Sequence, residues 1–190
     1  MRWTPLYAVM ALYLAIPAAA SAQSQRSYKV LATSKTSTMQ QEMQAAGQAG
    51  FRFVTVMGGE TAAGGKEVVV LMERTSGPAT RYEYRLLATL KTSTLEKELQ
   101  RAADAGWQAV GQTVFQSAFG GKETAGILER NPDEPAPRFE YKLIATSKTS
   151  TLEKELREAV EQGYEAVGMT VGKTALGGDE LVVIVRRPAK

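Results

Sequence analysis

The tetrapeptide Lys-Thr-Ser-Thr occurs three times in this chain and is the sequence feature best suited to binding a ligand. Its first three residues are Lys35-Thr36-Ser37, Lys91-Thr92-Ser93 and Lys148-Thr149-Ser150. Hydroxyls, an ammonium group and free amides at the start of a helix can together hold an anion such as phosphate, sulfate or a carboxylate. The alternative is structural: Ser caps the helix, Thr fills the turn and Lys extends into solvent. Both interpretations place these residues at helix starts.

The residue types that are missing restrict the chemistry further. The chain contains no His and no Cys, which excludes Ser-His-Asp and Cys-His catalysis, disulfides, and zinc sites built from those ligands. The repeated acids Glu42, Glu98 and Glu155 are predicted to lie on the solvated face of a helix. We therefore assign no catalytic residue, no metal ligand and no cofactor. A carboxylate-dependent hydrolase acting on envelope glycan stays open as a rival hypothesis.

The tetrapeptides belong to longer internal repeats. Segments 28–74, 84–130 and 141–187 align without a gap, and each contains A-T-x-K-T-S-T, a Gly followed by an aromatic residue, Gly-Gly-x-Glu and a final Arg. Proline-containing joins separate them, which is typical of linkers. We place repeat 1 at 23–78, repeat 2 at 79–134 and repeat 3 at 135–190.

Each repeat is predicted to fold as strand, helix, strand, strand. Ser93 with Glu96, and Ser150 with Glu153, have the spacing of capping boxes, and Ser37 with Gln40 is a weaker version. A glycine suited to the left-handed conformation follows each helix: Gly50, Gly106 and Gly163. Placing the third strand between the other two gives an antiparallel sheet of order 1-3-2. The predicted fold class is therefore α+β.

The third strands indicate how the repeats are arranged. Residues 68–71 and 181–185 are apolar on both strand faces, whereas an antiparallel strand with one face in water alternates apolar and polar residues. A single repeat would also have too small a core to be stable alone. The three sheets are therefore expected to pack into one pseudo-threefold body. Ala118-Phe119 and Ala175-Leu176, at two hairpin tips, would fold back onto a neighbouring repeat or face a partner.

An aromatic residue follows each glycine that ends a helix: Phe51, Trp107 and Tyr164. We expect these rings to pack beneath the preceding helix, because the turn after such a glycine brings the chain back under it. Stacking on a carbohydrate ring is the alternative.

The first 22 residues have the order of a secretory signal peptide. Arg2 precedes an apolar stretch from Leu6 to Ile16, and Ala20-Ser21-Ala22 supplies the cleavage site. No later stretch is long enough to span a membrane. We predict a periplasmic or secreted protein. Because 23 basic residues nearly balance 20 acidic ones, nucleic acid is not an expected partner.

One segment carries a family resemblance. The sequence A-G-W-Q-A-V from Ala105 to Val110 is preceded by Y-R-L-L and followed by a strand that ends in E-R. In this pattern the chain resembles a short bacterial family of domains of unknown function, number four thousand one hundred and seventy-seven. Gly163-Tyr164-Glu165-Ala166-Val167 also resembles the Gly-Trp-Glu-Leu-Val strand of that family. The resemblance implies the same order of strands and helix and brings no activity.

These observations favour an exported, non-enzymatic binding or interaction module. Its partner would be a protein, or an anionic small molecule or glycan, and a homo-oligomer is an open alternative. A structural subunit of an envelope assembly is a third hypothesis. An enzyme would have an asymmetric cleft in which one repeat carries polar residues that the others lack.

Overall fold

The computed structural model describes residues 26–61, 65–74, 80–116, 122–173 and 178–189. The predicted signal peptide, residues 1–22, lies outside the described residues. So do both apolar hairpin tips, Ala118-Phe119 and Ala175-Leu176. The signal and tip predictions stay predictions.

Each repeat forms the elements expected from its sequence. Repeat 1 contains β1 (Ser27–Thr33), α1 (Thr36–Gln48), β2 (Arg52–Thr61) and β3 (Gly65–Arg74). Repeat 2 contains β4 (Glu83–Thr89), α2 (Thr92–Asp104), β5 (Gln108–Gln116) and β6 (Lys122–Arg130). Repeat 3 contains β7 (Phe139–Thr146), α3 (Thr149–Glu161), β8 (Glu165–Lys173) and β9 (Asp179–Pro188).

The sheet order 1-3-2 is confirmed in all three repeats. The orders are β1-β3-β2, β4-β6-β5 and β7-β9-β8, and every neighbouring pair is antiparallel. The second strand of each repeat has a register shift near its start, for example between Phe53 and Thr55. The α+β fold class is therefore correct.

The helix ends also follow the prediction. Gly50, Gly106 and Gly163 have φ angles of 83°, 84° and 84°, in the region that only glycine adopts readily. In repeat 1 the Gly50 amide donates to the Gly47 carbonyl and the Phe51 amide to the Ala46 carbonyl, each at 3.0 Å. This Schellman pattern turns the chain sharply from the helix into the second strand.

The predicted capping boxes are wrong. Each helix begins at Thr36, Thr92 or Thr149, so the serine occupies the second helical position. The residue before each helix is a lysine whose side chain makes no capping hydrogen bond. The physical reason is an earlier turn: the Thr33 hydroxyl accepts a hydrogen bond from the Lys35 amide at 3.2 Å. The equivalent threonines make the same bond to Lys91 and Lys148. The turn therefore places Lys, and not Ser, directly before the helix.

The repeats share their cores, which confirms the packed body expected from the third strands. Met39 and Met43 of α1 lie in one buried cluster with Phe115 and Ile127 of repeat 2. A second cluster joins Leu95 and Leu99 of α2 with Tyr141 and Ile184 of repeat 3. The third cluster, under α3, lies within repeat 3.

Strand β9 shows why a third strand is apolar on both faces. Its residue Ile184 belongs to the cluster shared with repeat 2, whereas Val183 and Val185 belong to the cluster beneath α3. Alternate side chains of a strand point to opposite faces, so β9 is buried between the preceding repeat and its own helix. The helix-covered face of one sheet thus packs on the outer face of the next sheet.

Candidate functional site

The nine residues predicted to hold an anion form three separate groups, one at the start of each helix. The three lysines are exposed: Lys35, Lys91 and Lys148. The structure does not bring the groups of different repeats together into one site, and the side chain of Ser93 lies outside the described parts. Anion binding at these helix starts stays a prediction.

Two of the three side chains assigned to capping boxes, Gln40 and Glu96, instead join one repeat to the next. The Gln40 side chain accepts a hydrogen bond from the Leu86 amide at 2.9 Å, and Gln44 accepts one from the Tyr84 amide at 2.8 Å. Both side chains extend from α1 to β4, the edge strand of the next sheet. Edge strands expose unpaired backbone groups, and these glutamines satisfy two of them.

The next pair of repeats makes an equivalent junction. The Glu96 carboxylate accepts a hydrogen bond from the Leu143 amide at 2.8 Å, and Gln100 accepts one from the Tyr141 amide at 3.0 Å. The Gln100 amide group also donates to the Phe139 carbonyl at 3.2 Å. Helix α2 therefore covers the edge of β7 as α1 covers that of β4.

A buried tyrosine anchors each junction. The Tyr84 hydroxyl accepts from the Phe53 amide and donates to the Glu129 carboxylate, both at 2.8 Å. The Tyr141 hydroxyl accepts from the Ala109 amide at 2.8 Å. These amides lie at the register shifts of the second strands, which leave a backbone donor unpaired within the sheet.

Burial raises the pKa of both junction tyrosines above the usual value for a phenol, since a phenolate would lose its hydration. For Tyr84 the nearby Glu129 carboxylate raises the pKa further. The hydroxyl therefore keeps the proton that it donates to Glu129.

The final arginine of each repeat covers the aromatic residue that follows the helix. The guanidinium carbon lies 4.9 Å from the ring centre of Phe51 in repeat 1, 4.6 Å from that of Trp107 in repeat 2, and 4.7 Å from that of Tyr164 in repeat 3. The arginines are Arg74, Arg130 and Arg187. Each ring also packs against the buried cluster of its own repeat. This arrangement supports packing as their role, because one ring face is already occupied by a cation.

Residues of all three repeats line two clefts beside the second strands. One cleft, of 410 Å³, is bordered by Gly58 of β2, Phe115 of β5 and Val171 of β8. The other, of 430 Å³, contains charged residues. Residues of the second strands of all three repeats thus border the same cleft.

The carboxylates in the charged cleft are in ion pairs. Glu129 lies 3.0 Å from Arg52, Glu165 lies 2.7 Å from Arg186, and Glu73 lies 3.4 Å from Arg26. A retaining or inverting glycosidase needs one carboxylic acid that can protonate the leaving group. Each of these three carboxylates instead contacts an arginine, so the charged cleft gives the hydrolase hypothesis no support.

The junction occurs twice, between repeats 1 and 2 and between repeats 2 and 3. In the described part of the chain, the outer faces of repeats 1 and 3 have no neighbouring repeat. We define the leading face as Tyr28, Val30 and Met57, whose side chains are 57%, 63% and 65% exposed. The equivalent tyrosines Tyr84 and Tyr141 are only 3% and 7% exposed. The leading face of repeat 1 is therefore the surface that a preceding repeat would cover.

The opposite end exposes the complementary surface. We define the trailing face as Val160, Met169 and Val171, which are 66%, 62% and 45% exposed. The residues equivalent to Val160 in the first two repeats are Gly47 and Ala103, and both are buried against the following repeat. Sequence reasoning missed both faces, although the Gln and Glu residues at matching positions of the helices were a readable signal.

The described residues contain neither a group of side chains suited to a metal ion nor a helix suited to span a membrane. No three acidic side chains in these segments are grouped closely enough to bind a metal ion. Over the same segments, no helix combines the length and the apolar character needed to cross a membrane.

Comparison with known proteins gives no relative for this chain. No protein-family model matches the sequence, and neither a curated protein nor a solved structure matches it. The family resemblance based on Ala105 to Val110 therefore stays a prediction.

Proposed function

We propose that this protein is an exported, non-enzymatic interaction module that binds a protein partner through the leading face of repeat 1. The observation that carries the proposal is the contrast between equivalent positions. Tyr84 and Tyr141 are buried at junctions, whereas Tyr28 is exposed. Equivalent surfaces are therefore present in all three repeats. They contact the preceding repeat in repeats 2 and 3 and are exposed in repeat 1.

The chemistry of the leading face fits a protein better than a small anion. Val30 and Met57 are exposed apolar side chains on a sheet, and such grouped apolar residues are typical of interaction surfaces. At the β1 edge, no side chain among the described residues accepts a hydrogen bond from the Tyr28 or Val30 amide. A protein partner can supply both apolar contacts and backbone or side-chain acceptors.

Export is the second part of the proposal and depends on the sequence of residues 1–22. The basic Arg2, the apolar stretch and the Ala20-Ser21-Ala22 site together support a cleaved signal peptide. The partner is then a component of the envelope or of the extracellular space.

Site-specific photo-cross-linking tests the proposed function. A photoreactive residue at Val30 of the exported chain should give a protein adduct in its native envelope, because a bound partner covers that position. The matched control is Leu90, which is 59% exposed and lies outside both faces. Equal adducts at the two positions, or none at Val30, would contradict the proposal.

A further inference from the structure

We propose that the leading face of one copy of this protein binds the trailing face of a second copy, head to tail. This inference rests on the proposed function and names the partner of the same surface. It starts from the two junctions within the chain, in each of which the leading face of one repeat is covered by the repeat before it. Every molecule therefore has one exposed leading face, on repeat 1, and one exposed trailing face, on repeat 3.

The two unused faces are complementary because the junction between repeats is heterologous. Residues of a preceding helix and a following edge strand meet at the 1–2 junction and again at the 2–3 junction. A third junction of this kind needs the helix α3 and the edge strand β1. Both are present on the surface of every copy, with Val160 66% exposed and Val30 63% exposed.

Closure within one chain does not occur in this structure. The hydrogen bonds of the two internal junctions hold repeat 1 and repeat 3 relative to repeat 2, and in this arrangement both faces stay exposed. A second copy is therefore the occupant that fits them. Heterologous contacts of this kind generate either a closed ring or an open chain of molecules.

Particular atoms are available for the new junction. Glu153 of α3 is equivalent to Gln40 and Glu96, which accept hydrogen bonds from Leu86 and Leu143. The equivalent donor on β1 is the Val30 amide, so Glu153 of one copy can accept a hydrogen bond from Val30 of the next. Glu153 is exposed and paired only with Arg157 of its own helix among the described residues, at 3.0 Å.

The hydrogen bond made by the junction tyrosine can also form between two copies. The Tyr84 and Tyr141 hydroxyls accept from the amides of Phe53 and Ala109 at the preceding second strand. The equivalent pair in the new junction is Tyr28 of one copy and the Ala166 amide of the other. Ala166 lies beside the register shift of β8, where the internal junctions place their donors.

Two residues of α3 differ from their equivalents in the internal junctions in ways that make the new junction the weakest of the three. Arg157 stands where Gln44 and Gln100 accept a hydrogen bond, and a guanidinium group has no acceptor atom. Val160 is also larger than its buried equivalents Gly47 and Ala103. Association between copies should therefore be reversible and depend on protein concentration, whereas the internal junctions persist.

Sedimentation velocity of the full chain, purified after export, tests the proposal with one variant on each face. Val30→Glu alters the leading face and Val160→Glu the trailing face. Both residues are exposed, so neither variant should lose its fold, and circular dichroism checks this. Because a carboxylate would be buried on association, each variant alone should raise the dissociation constant at least about a hundredfold. Leu90→Glu, outside both faces, should associate as the wild type does.

The decisive result comes from mixing the two face variants. A Val30→Glu copy keeps an intact trailing face and a Val160→Glu copy keeps an intact leading face, so their equimolar mixture should form a dimer with a single junction. A wild-type protein that stays monomeric at every concentration, or a mixture that stays monomeric while the wild type associates, would overturn head-to-tail binding. A monomeric wild type whose Val30 position still cross-links to a different protein would leave the proposed function standing and remove only this inference.

Discussion

Replacing Met43 by Ala should lower the free energy of unfolding of the whole chain by about 2–5 kcal/mol, the usual cost of emptying such a volume in a core. Met43 of α1 is completely buried. It lies in the cluster that includes Tyr84, Phe115 and Ile127 of repeat 2. The loss should therefore be shared by repeat 1 and repeat 2 and should not stay local to α1.

Urea unfolding followed by two signals measures this effect. Trp107 lies in repeat 2 and packs against its cluster, so its fluorescence reports on a repeat that does not contain the mutation. The fluorescence transition and the circular dichroism transition should shift together to lower urea. In contrast, Leu90→Ala at an exposed position should change stability by less than about 0.5 kcal/mol. A Trp107 transition that does not respond to Met43→Ala would mean that the repeats unfold independently.

Replacing Gly47 by Ala should destabilise the protein, although the same change in an exposed helix usually stabilises it by about 1 kcal/mol. A Cβ atom at Gly47 would overlap the Tyr82 carbonyl oxygen and lie 2.8 Å from Cε2 of Tyr84. Both groups belong to repeat 2, so the added methyl group would push the 1–2 junction apart. We expect a loss of about 1–3 kcal/mol, which is typical of overpacking.

Thermal unfolding of Gly47→Ala beside Gly59→Ala tests the packing of this junction. A Cβ atom at Gly59 meets no other atom within 4 Å, so that variant should stay within about 0.5 kcal/mol of the wild type. An increase in stability for Gly47→Ala would show that the close approach of α1 to Tyr84 does not exist in solution.

The parts of the fold that the sequence could reveal are those that a single repeat determines. Strand, helix and hairpin follow from the apolar pattern and from glycines such as Gly106, which no other residue type replaces easily at a positive φ. The doubly apolar stretch 181–185 also showed correctly that the sheets pack on each other. These predictions needed only the rule that apolar side chains must be buried.

The capping boxes were predicted wrongly because two structural roles share one pattern. Ser followed three residues later by Glu or Gln fits a capping box, but Gln40 and Glu96 satisfy the edge strand of the next repeat instead. The spacing within one repeat gives no information about a donor that lies 46 or 47 residues further along the chain.

The two free faces were harder to predict from the sequence, because equivalent positions look alike whether or not a neighbour covers them. Tyr28, Tyr84 and Tyr141 stand at the same position of their repeats. Within the described residues, Tyr28 differs only in having no helix of a preceding repeat beside it. The substitution of Arg157 for the glutamine of the other helices marks the last repeat in the sequence. This substitution can be interpreted only once the structure shows that the glutamine accepts a hydrogen bond from the first strand of the next repeat.

Amide hydrogen exchange at the three equivalent strand edges tests the central claim most directly: the edge of β1 is a free copy of a junction surface and is covered by a partner. The amides of Tyr84, Leu86, Tyr141 and Leu143 should exchange slowly at every protein concentration, because helix side chains accept their hydrogen bonds. The amides of Tyr28 and Val30 should exchange fast in dilute protein and slow down as the concentration rises. Slow exchange of these two amides at every concentration would contradict a free β1 edge, and fast exchange at every concentration would contradict its covering by a second copy.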